Sequence, residues 1–538
     1  MHTLPLHSLM DGAPAQPSLP PVATPPDDGR ALYVRGLLAL RSGDAQEAAL
    51  LLTRALRRQP GHQGMRRNLV RALLVAERFE QVVVQANAAL AVMPDDAELH
   101  FAHGTALNAV GHHARACAAF AQALSLRPDH APSWLNMGNA SADLEDLASA
   151  ETMYRTAIRL DAALAEAHAS LGYILTMQGR LAEAIDACET AIRLRSDFVQ
   201  AHWNLAIAAL LGGDLSRGFL EYEWRKRHAR YRADFPDLPG LPWDGADASG
   251  QTILVRAEQG FGDVIQFARY LPLIREMGGN PVLSCAAALV PLMRSMPGVR
   301  AVCTSDCLPA YDLWIDQISL PRVFGTALDT IPCANGYLSA DPARTRTWRD
   351  RLRAWRPHGV CQDGVYRDGM YRDGVCREGT CQDGTRHDGA CHDGQRKVGF
   401  AFAGNPRHRG DRRRSIPADF DVKLPDIPGL SYVNLQHGGS AFRLGLPDLT
   451  PWMTNYAETA ALIENLDLVV TVDTSVAHLA GALGKPVWIL LPHAPDWRWM
   501  LGRNESPWYR SVRLFRQPIA GDWASVLAEV TQALALCD

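Results

Sequence analysis

The chain has 538 residues, of which 47% are apolar and 21% are charged, and its formal net charge is −4. This length predicts two or three domains, and these fractions are typical of soluble proteins. So small a net charge predicts no general affinity for nucleic acid or for an anionic membrane surface.

Residues 1–28 are rich in proline and lack the basic start and continuous apolar run of a signal peptide, so we expect a disordered tail there. No apolar stretch reaches the roughly 18 residues that a membrane helix requires. The eleven cysteines show no paired framework. We therefore expect reduced thiols, no transmembrane segment and a cytoplasmic protein.

A 34-residue period runs through residues 29–228, where Pro60, Pro94 and Pro128 are 34 residues apart. Small residues recur in the same register, which predicts helices that approach each other closely. They are Gly36, Gly104, Gly138 and Gly172 in one series, and Ala48, Ala116, Ala150 and Ala184 in the other. The pattern resembles the tetratricopeptide repeat (TPR). It implies about six helical hairpins stacked into an all-α superhelix with a concave groove.

Three asparagines occupy the same place in alternate units, namely Asn68, Asn136 and Asn204. A carboxamide can donate to and accept from a peptide backbone without reading its side chains. In the O-linked N-acetylglucosamine transferases, which these repeats resemble, such a ladder grips extended polypeptide. The resemblance implies a polypeptide partner in the groove. The alternative is that asparagine is simply common at this repeat position.

Two later segments have the pattern of β-α-β units. In the first, "TILVRA" and "PVLSC" predict buried strands, separated by the turn "EQGFGD" and a helix over "VIQFARYLPLIREMG". In the second, the strand "LDLVVTV" precedes helix-capping side chains, the helix "VAHLAGAL" and the strand "PVWILL". Such units place free backbone N–H groups at the edge where open α/β sheets bind anionic ligands, usually phosphate.

The motifs "EQGFGDVIQFARYLP", "FAGNPRHRGDRRRSIP", "VNLQHG" and "LVVTVDTSVAHLAGALGKPVW" together resemble glycosyltransferase family 9, the heptosyltransferase-like group, and its branch with N-terminal TPR units. The resemblance implies an α/β GT-B-like module of two Rossmann-like lobes after the superhelix. It implies a nucleotide-diphosphate sugar as donor substrate, bound mainly by the second lobe, with no metal and no other cofactor. We assign residues 229–345 to the first lobe and 397–538 to the second.

The resemblance also implies roles for individual residues. Asp263 matches an aspartate placed to act as general base on the acceptor hydroxyl, a role that sugar transfer needs because a hydroxyl is a poor nucleophile. The alternative for Asp263 is a helix N-cap. Asp473, Thr474, Ser475 and His478 match the motif that holds the ribose and diphosphate of the donor. His478 alone would more often be a packed helix residue.

Two further residues are expected to bind the donor. Arg414 is near a basic residue that the family uses against the diphosphate, although the surrounding "RRRSIP" leaves open which arginine acts. Gln436 ends a strand and either faces the donor or is a turn residue. By contrast, we interpret "DWRWM" and "SPWYRSVRLFRQ" as aromatic packing.

The segment between the lobes, residues 346–396, contains seven glycine-rich pentapeptides over residues 361–395. Their cysteines and histidines lack the spacing of a metal site, and their glycines oppose helix and strand. We predict a disordered insertion in a linker, with metal capture as the minor alternative.

Two functions remain open from the sequence. The first is a glycosyltransferase that moves a sugar from a nucleotide-diphosphate donor to a protein or glycan acceptor recruited by the TPR units. The second is a non-catalytic scaffold in which the TPR units bind protein and the transferase module is degenerate.

Overall fold

The computed structural model describes residues 28–332, 335–354, 395–406, 410–417, 419–420, 422–436, 446 and 448–536. The chain divides into two compact units. One takes the chain up to Gly212 together with Leu220–His228, and the other takes Gly213–Phe219 together with the chain from Ala229 onwards. The predicted domain boundaries stay predictions.

The first unit is built of antiparallel helix pairs. Its helices are α1 (Gly29–Arg41), α2 (Ala45–Arg58), α3 (Gln63–Val75), α4 (Phe79–Leu90), α5 (Ala97–Ala109), α6 (His113–Leu126), α7 (Ala131–Asp143), α8 (Leu147–Leu160), α9 (Ala165–Met177), α10 (Leu181–Leu194) and α11 (Val199–Leu211). The residues of α12 (Leu215–Tyr222) divide between the two units.

The small residues in the repeats allow close helix packing, as predicted. A Cβ atom added at Gly138 of α7 would lie 2.6 Å from the Tyr154 ring of α8, and one at Gly104 would lie 2.8 Å from the ring of Phe120. Both distances are shorter than van der Waals contact, so only glycine fits at these positions.

The turn within each helix pair also repeats. Its left-handed residue recurs every 34 positions, at Gly43, Glu77, Gly111, Glu145, Gly179 and Gly213, with φ between 55° and 89°. Glycine adopts this conformation without steric cost, and the two glutamates mark units that depart from the glycine pattern.

A second ladder stabilises the turns between consecutive pairs. A side-chain nitrogen in five successive units bonds the carbonyl six residues earlier, just beyond the preceding helix. The donors are Arg66, His100, Trp134, His168 and His202, and the acceptor carbonyls are those of Pro60, Pro94, Pro128, Ala162 and Ser196. Because a carbonyl only accepts, each ring nitrogen must donate.

The second unit begins with α13 (Ala229–Asp234) and contains two parallel five-stranded sheets. The first sheet has the order β1-β5-β2-β3-β4. Its strands are β1 (Leu241–Pro242), β2 (Thr252–Arg256), β3 (Asn280–Ser284), β4 (Ala301–Cys303) and β5 (Leu313–Asp316). Its helices are α14 (Phe261–Phe267), α15 (Leu271–Glu276), α16 (Val290–Met293) and α17 (Leu320–Val323). The next helix, α18 (Pro342–Ala354), packs against the helix Tyr456–Glu464 of the second sheet.

The helix predicted after β2 differs from the observed one in two respects. It begins at Phe261, inside the predicted turn, and it is broken by a 3-10 segment at Ala268–Tyr270. The break precedes Pro272, which has no N–H group to continue the α-helical hydrogen bonds.

The second sheet has the order β10-β9-β8-β6-β7. Its strands are β6 (Arg396–Ala401), β7 (Leu430–Asn434), β8 (Leu468–Val472), β9 (Val487–Leu491) and β10 (Val512–Arg516). Its helices are α19 (Asp411–Arg414), α20 (Tyr456–Glu464), α21 (Ser475–Ala482) and α22 (Trp523–Ala535).

The predicted fold class is confirmed: a helical TPR superhelix is followed by a module with two parallel sheets of Rossmann-like topology. Among the described residues, no helix has the length and apolarity needed to cross a membrane. The pentapeptide residues 361–394 lie outside the described residues.

Candidate functional site

Each sheet has one topological switch point, a pair of adjacent strands from which the chain connections run toward opposite edges of the sheet. In the first sheet it lies between β2 and β5, and in the second between β6 and β8. Open α/β sheets bind ligands beyond the carboxyl ends of the strands at such positions. Asp263 follows β2 and Asp473 follows β8, so both belong to segments that leave these two positions.

Asp263 lies in the first turn of α14 and has a partner on each carboxylate oxygen. Its Oδ2 accepts a hydrogen bond of 2.9 Å from the N–H of Gly260, which is the helix N-cap. Its Oδ1 accepts from Nη2 of Arg498, which lies in the segment after β9. The N-cap alternative for Asp263 is therefore wrong by three residues. Gly260 is the N-cap, and Asp263 is the third residue of the helix and accepts from the Gly260 N–H.

Burial and charge act on Asp263 in opposite directions. Burial raises the pKa of the Asp263 carboxyl, and the Arg498 guanidinium opposes that rise. The side chain of Asp263 keeps 16% of its surface exposed. The Asp263 carboxylate thus has a pKa raised by burial, an arginine partner and some access to solvent.

Two non-glycine residues in the left-handed region flank this ion pair. Gln259, at φ 65°, immediately precedes the N-cap Gly260, and Met500, at φ 52°, follows the 3-10 turn Trp497–Trp499. Such conformations cost on the order of 1–3 kcal/mol and concentrate at functional sites.

The segment after β8 turns directly into α21. The Thr474 hydroxyl accepts from the N–H of Val476 at 3.3 Å and lies 3.2 Å from the Thr471 hydroxyl. The Ser475 hydroxyl lies 2.5 Å from that of Tyr456. Thr474 is the observed helix cap, and the backbone N–H groups of the first turn of α21 are suited to an anion.

Asp473 is 9% exposed. Burial raises its pKa to about 6, the charge of Asp496 adds to the rise, and Arg414 opposes it. The indole N–H of Trp499 also favours the charged form of Asp473, although among the described residues it has no hydrogen-bond partner within 3.5 Å. Asp473 therefore changes charge close to neutral pH.

His478 lies on α21 and is buried against α14 of the first lobe. Its Nδ1 is 3.0 Å from the Tyr509 hydroxyl, and its ring stacks on Trp499 with centroids 5.3 Å apart. A Cβ atom added at Gly262 would lie 2.7 Å from His478 Cδ2. Burial, followed by the nearby arginines, lowers the pKa of His478 well below its usual value, so the imidazole is neutral.

Arg414 ends α19 and pairs with Asp411 at 3.2 Å. Its positive charge lowers the pKa of Asp473 and that of His478, so Arg414 is within electrostatic reach of both. Arg407, His408 and Arg409 lie outside the described residues.

Gln436 holds two strand ends together. Its Oε1 accepts from the N–H groups of Phe402 and Ala403, and its Nε2 donates to the Ala403 carbonyl at 3.0 Å. These bonds favour the turn-residue alternative for Gln436, and its contact with a donor stays a prediction.

The three asparagines are largely engaged within the helical unit. Asn68 donates to the Tyr33 hydroxyl at 2.9 Å, Asn136 to the Thr105 hydroxyl at 3.4 Å, and Asn204 to the Ala169 carbonyl at 2.9 Å. These bonds join neighbouring repeats, and they explain the presence of the asparagines without a bound peptide. Their role in protein binding stays a prediction.

Sequence reasoning missed Arg498, which it assigned with its neighbours to aromatic packing. Arg498 does pack on the ring of Trp497, 4.2 Å from its centroid, but it also bonds Asp263 and Gln266 of the first lobe. The charged residue inside "DWRWM" was the signal available in the sequence. Among the described residues, no group of three or more potential metal ligands occurs.

Comparisons with known proteins agree with this organisation. Residues 39–103, 101–163 and 135–197 match tetratricopeptide repeat families. Residues 449–499, which include Asp473, His478 and Arg498, match glycosyltransferase family 9 (heptosyltransferase).

A curated relative is the protein FlbA of Caulobacter vibrioides, which is 26% identical over 541 residues, 95% of this chain and 79% of that protein. Two solved structures align with part of this chain. A thermophilic TPR protein of Thermus thermophilus is 21% identical, covering 34% of this chain and 99% of its own, with a TM-score of 0.30. PilF of Pseudomonas aeruginosa is 16% identical, covering 38% and 96%, with a TM-score of 0.33.

The chain therefore carries tetratricopeptide repeats in its N-terminal part and a glycosyltransferase family 9 segment near its C-terminus.

Proposed function

We propose that this protein is a metal-independent glycosyltransferase that moves a sugar from a nucleotide-diphosphate donor to a protein or glycan acceptor recruited by the TPR units. One observation carries the proposal. Asp263 at the strand-end position of the first sheet and Arg498 of the second lobe form an ion pair, so groups suited to acceptor and donor come together.

The transfer would use Asp263 as general base. The acceptor hydroxyl gives its proton to the Asp263 carboxylate while its oxygen forms a bond to the anomeric carbon of the donor sugar. The bond from that carbon to the donor phosphate oxygen breaks, and the nucleoside diphosphate leaves with the electron pair. The charges balance because the base gains the proton as the leaving group gains the negative charge.

Fixed positive groups would stabilise that leaving group. The guanidinium of Arg414 and the N-terminal N–H groups of α21 are suited to phosphate oxygens, and neither must move a proton to act. Neutral His478 can donate a hydrogen bond from Nε2 if its Nδ1 accepts from the Tyr509 hydroxyl. Asp473 as a carboxylate is suited to accept from ribose hydroxyls.

The TPR groove would recruit the acceptor. TPR arrays present an extended concave surface, and Asn68, Asn136 and Asn204 recur on the first helices of their pairs, α3, α7 and α11. A polypeptide that exchanged hydrogen bonds with these carboxamides would compete with, or add to, the bonds they make within the array.

A non-catalytic scaffold is the second candidate, and one observation favours it. Both oxygens of Asp263 already have protein partners, as a purely structural carboxylate would. In that case the TPR units would be the functional part of the chain.

Calorimetric titration of the full chain with a panel of nucleoside diphosphates and nucleotide sugars separates the two candidates. We expect micromolar binding of one nucleotide that is lost in an Asp473→Ala, His478→Ala double variant and kept in Glu529→Gln, which changes an exposed residue of α22. Asp263→Asn should then bind the donor and fail to transfer its sugar. A folded protein that binds no member of the panel would refute the transferase proposal.

A further inference from the structure

Arg498 has an extensive set of side-chain partners in the second unit. Its Nε donates to Gln266 Oε1 at 2.8 Å, its Nη1 to Asp496 Oδ1 at 2.8 Å, and its Nη2 to Asp263 Oδ1. Its side chain is 9% exposed and packs on the Trp497 ring. A planar guanidinium held at three nitrogens and one face has a single orientation.

These partners come from both lobes. Asp263 and Gln266 lie one helical turn apart on α14, whereas Asp496 belongs to the segment after β9. The guanidinium therefore joins the first lobe to the second at the carboxylate to which we assign the proton transfer.

Gln266 supports this arrangement at a cost. It is fully buried, and its carbonyl oxygen must face Arg498 because a guanidinium offers only donors. Within the described part of the chain, its amide nitrogen has no hydrogen-bond partner. A buried amide without a hydrogen-bond partner destabilises the fold. The orientation of Gln266 therefore supplies an acceptor to Arg498 at the expense of a partner for its own amide nitrogen.

We propose, building on the function proposed above, that Arg498 is a positioning residue for sugar transfer: it holds the Asp263 carboxylate as the anion and in one orientation, with Gln266 and Asp496 holding Arg498 in turn. The Gly260 N–H fixes the second oxygen of Asp263. The base is then complete only when the segment after β9 lies against α14.

The surrounding charges explain why such a residue is needed. Burial raises the pKa of Asp263, and Glu258 before α14 and Asp496 after β9 raise it further. His478, which packs against Gly262 from α21, is neutral and offers no compensating charge. Among the described residues, Arg498 has the largest opposing effect on the pKa of Asp263, followed by the hydrogen bond from the Gly260 N–H. Without Arg498, the carboxyl would bind its proton more tightly, and a larger fraction of Asp263 would be protonated at any given pH.

The test is a direct titration of Asp263 in the full chain. Infrared spectra recorded across pH show the C=O stretch of each protonated carboxyl, and subtraction of Asp263→Asn isolates the band of Asp263. In Arg498→Gln we expect this band to titrate at least one pH unit higher, a tenfold gain in proton affinity. The matched control is Arg513→Gln, at a half-exposed arginine of β10, which should leave the band unchanged. An unshifted band in folded Arg498→Gln would overturn the proposal.

A second variant separates charge from orientation and remains informative if Arg498→Gln does not fold. Arg498→Lys keeps the cation but lacks the planar fork. We expect kcat to fall at least tenfold, with KM and the acidic limb of the pH profile little changed. Wild-type kcat in this variant would overturn the orienting role.

The two proposals fail in different ways. A shifted band without nucleotide binding would refute the transferase function and leave the ion pair in place. Nucleotide binding without a shifted band would refute the role of Arg498 and leave the transferase function standing.

Discussion

Replacing Gly262 by alanine tests the contact between the two lobes. The added Cβ would lie 2.7 Å from His478 Cδ2 and 3.3 Å from His478 Nε2. The imidazole cannot retreat freely because it is held by the Tyr509 hydroxyl at 3.0 Å and stacked on Trp499. The lobes or the imidazole must therefore shift by several tenths of an ångström.

The magnitude follows from two opposing contributions. Overpacking of a tightly packed contact costs about 1–3 kcal/mol. Alanine in place of glycine within a helix returns about 0.5–1 kcal/mol. We expect a net destabilisation of about 1 kcal/mol and at most about 2.5 kcal/mol, which for a unit of roughly 300 residues corresponds to a decrease of about 2 °C and at most about 4 °C in its Tm.

Thermal unfolding followed by near-ultraviolet circular dichroism measures this decrease, because Trp499 and Tyr509 adjoin the contact. Nucleotide affinity should fall in the same variant as His478 moves. The control is Gly61→Ala, where the added Cβ has no neighbour within 4 Å. A Gly262→Ala protein with unchanged or raised Tm and unchanged nucleotide affinity would refute the inferred contact.

Two other predictions concern the charge at the second sheet and the packing of the repeats. The pKa of Asp473 is raised from 3.8 to about 6 in the folded state. The protonated carboxyl therefore stabilises the fold at low pH, and this contribution is lost as pH rises from about 4 through 6. Asp473→Asn should lack this loss and should be more stable than the wild-type protein by at most about 3 kcal/mol at pH 7. Melting curves between pH 4 and 8 check this, and parallel curves for both proteins would contradict it. Gly172→Ala places a Cβ against Cys188 and 3.1 Å from the Ala184 carbonyl. After the roughly 0.5–1 kcal/mol that alanine returns within a helix, this overpacking should destabilise the helical unit by up to about 2.5 kcal/mol. Urea unfolding measures this against Gly61→Ala, and equal midpoints for the two variants would exclude the predicted clash.

The helical unit was predictable because its information is periodic and local. A 34-residue repeat of prolines and small residues specifies helix ends and close contacts before any tertiary structure is known. The β-α-β units were predictable for a similar reason, since strand, turn and helix follow one another directly. Pro272 signalled the break in the sequence, but the helical spacing of the apolar residues around it led to the prediction of one continuous helix.

The site was only partly predictable. Asp263, Asp473 and His478 stand in short motifs, and each could be singled out from its neighbours in the chain. Arg498 could not, because Asp263 is 235 residues away in sequence and Gln266 is 232 residues away. Only the approach of the two lobes turns an arginine among tryptophans into the partner of a carboxylate.

The ladder of side-chain donors between consecutive helix pairs bears on how this array changes length. Each donor bonds a carbonyl only six residues upstream, so a duplicated 34-residue segment brings its own donor and its own acceptor. Gain or loss of one such segment therefore leaves each of these turn carbonyls with its hydrogen-bond donor, whatever the sequence of the neighbouring repeats. Arginine, histidine and tryptophan all serve at the donor position. The copies are thus free to diverge in sequence while the hydrogen bonds between them persist, and the array can be lengthened by recombination because each added repeat supplies its own bond.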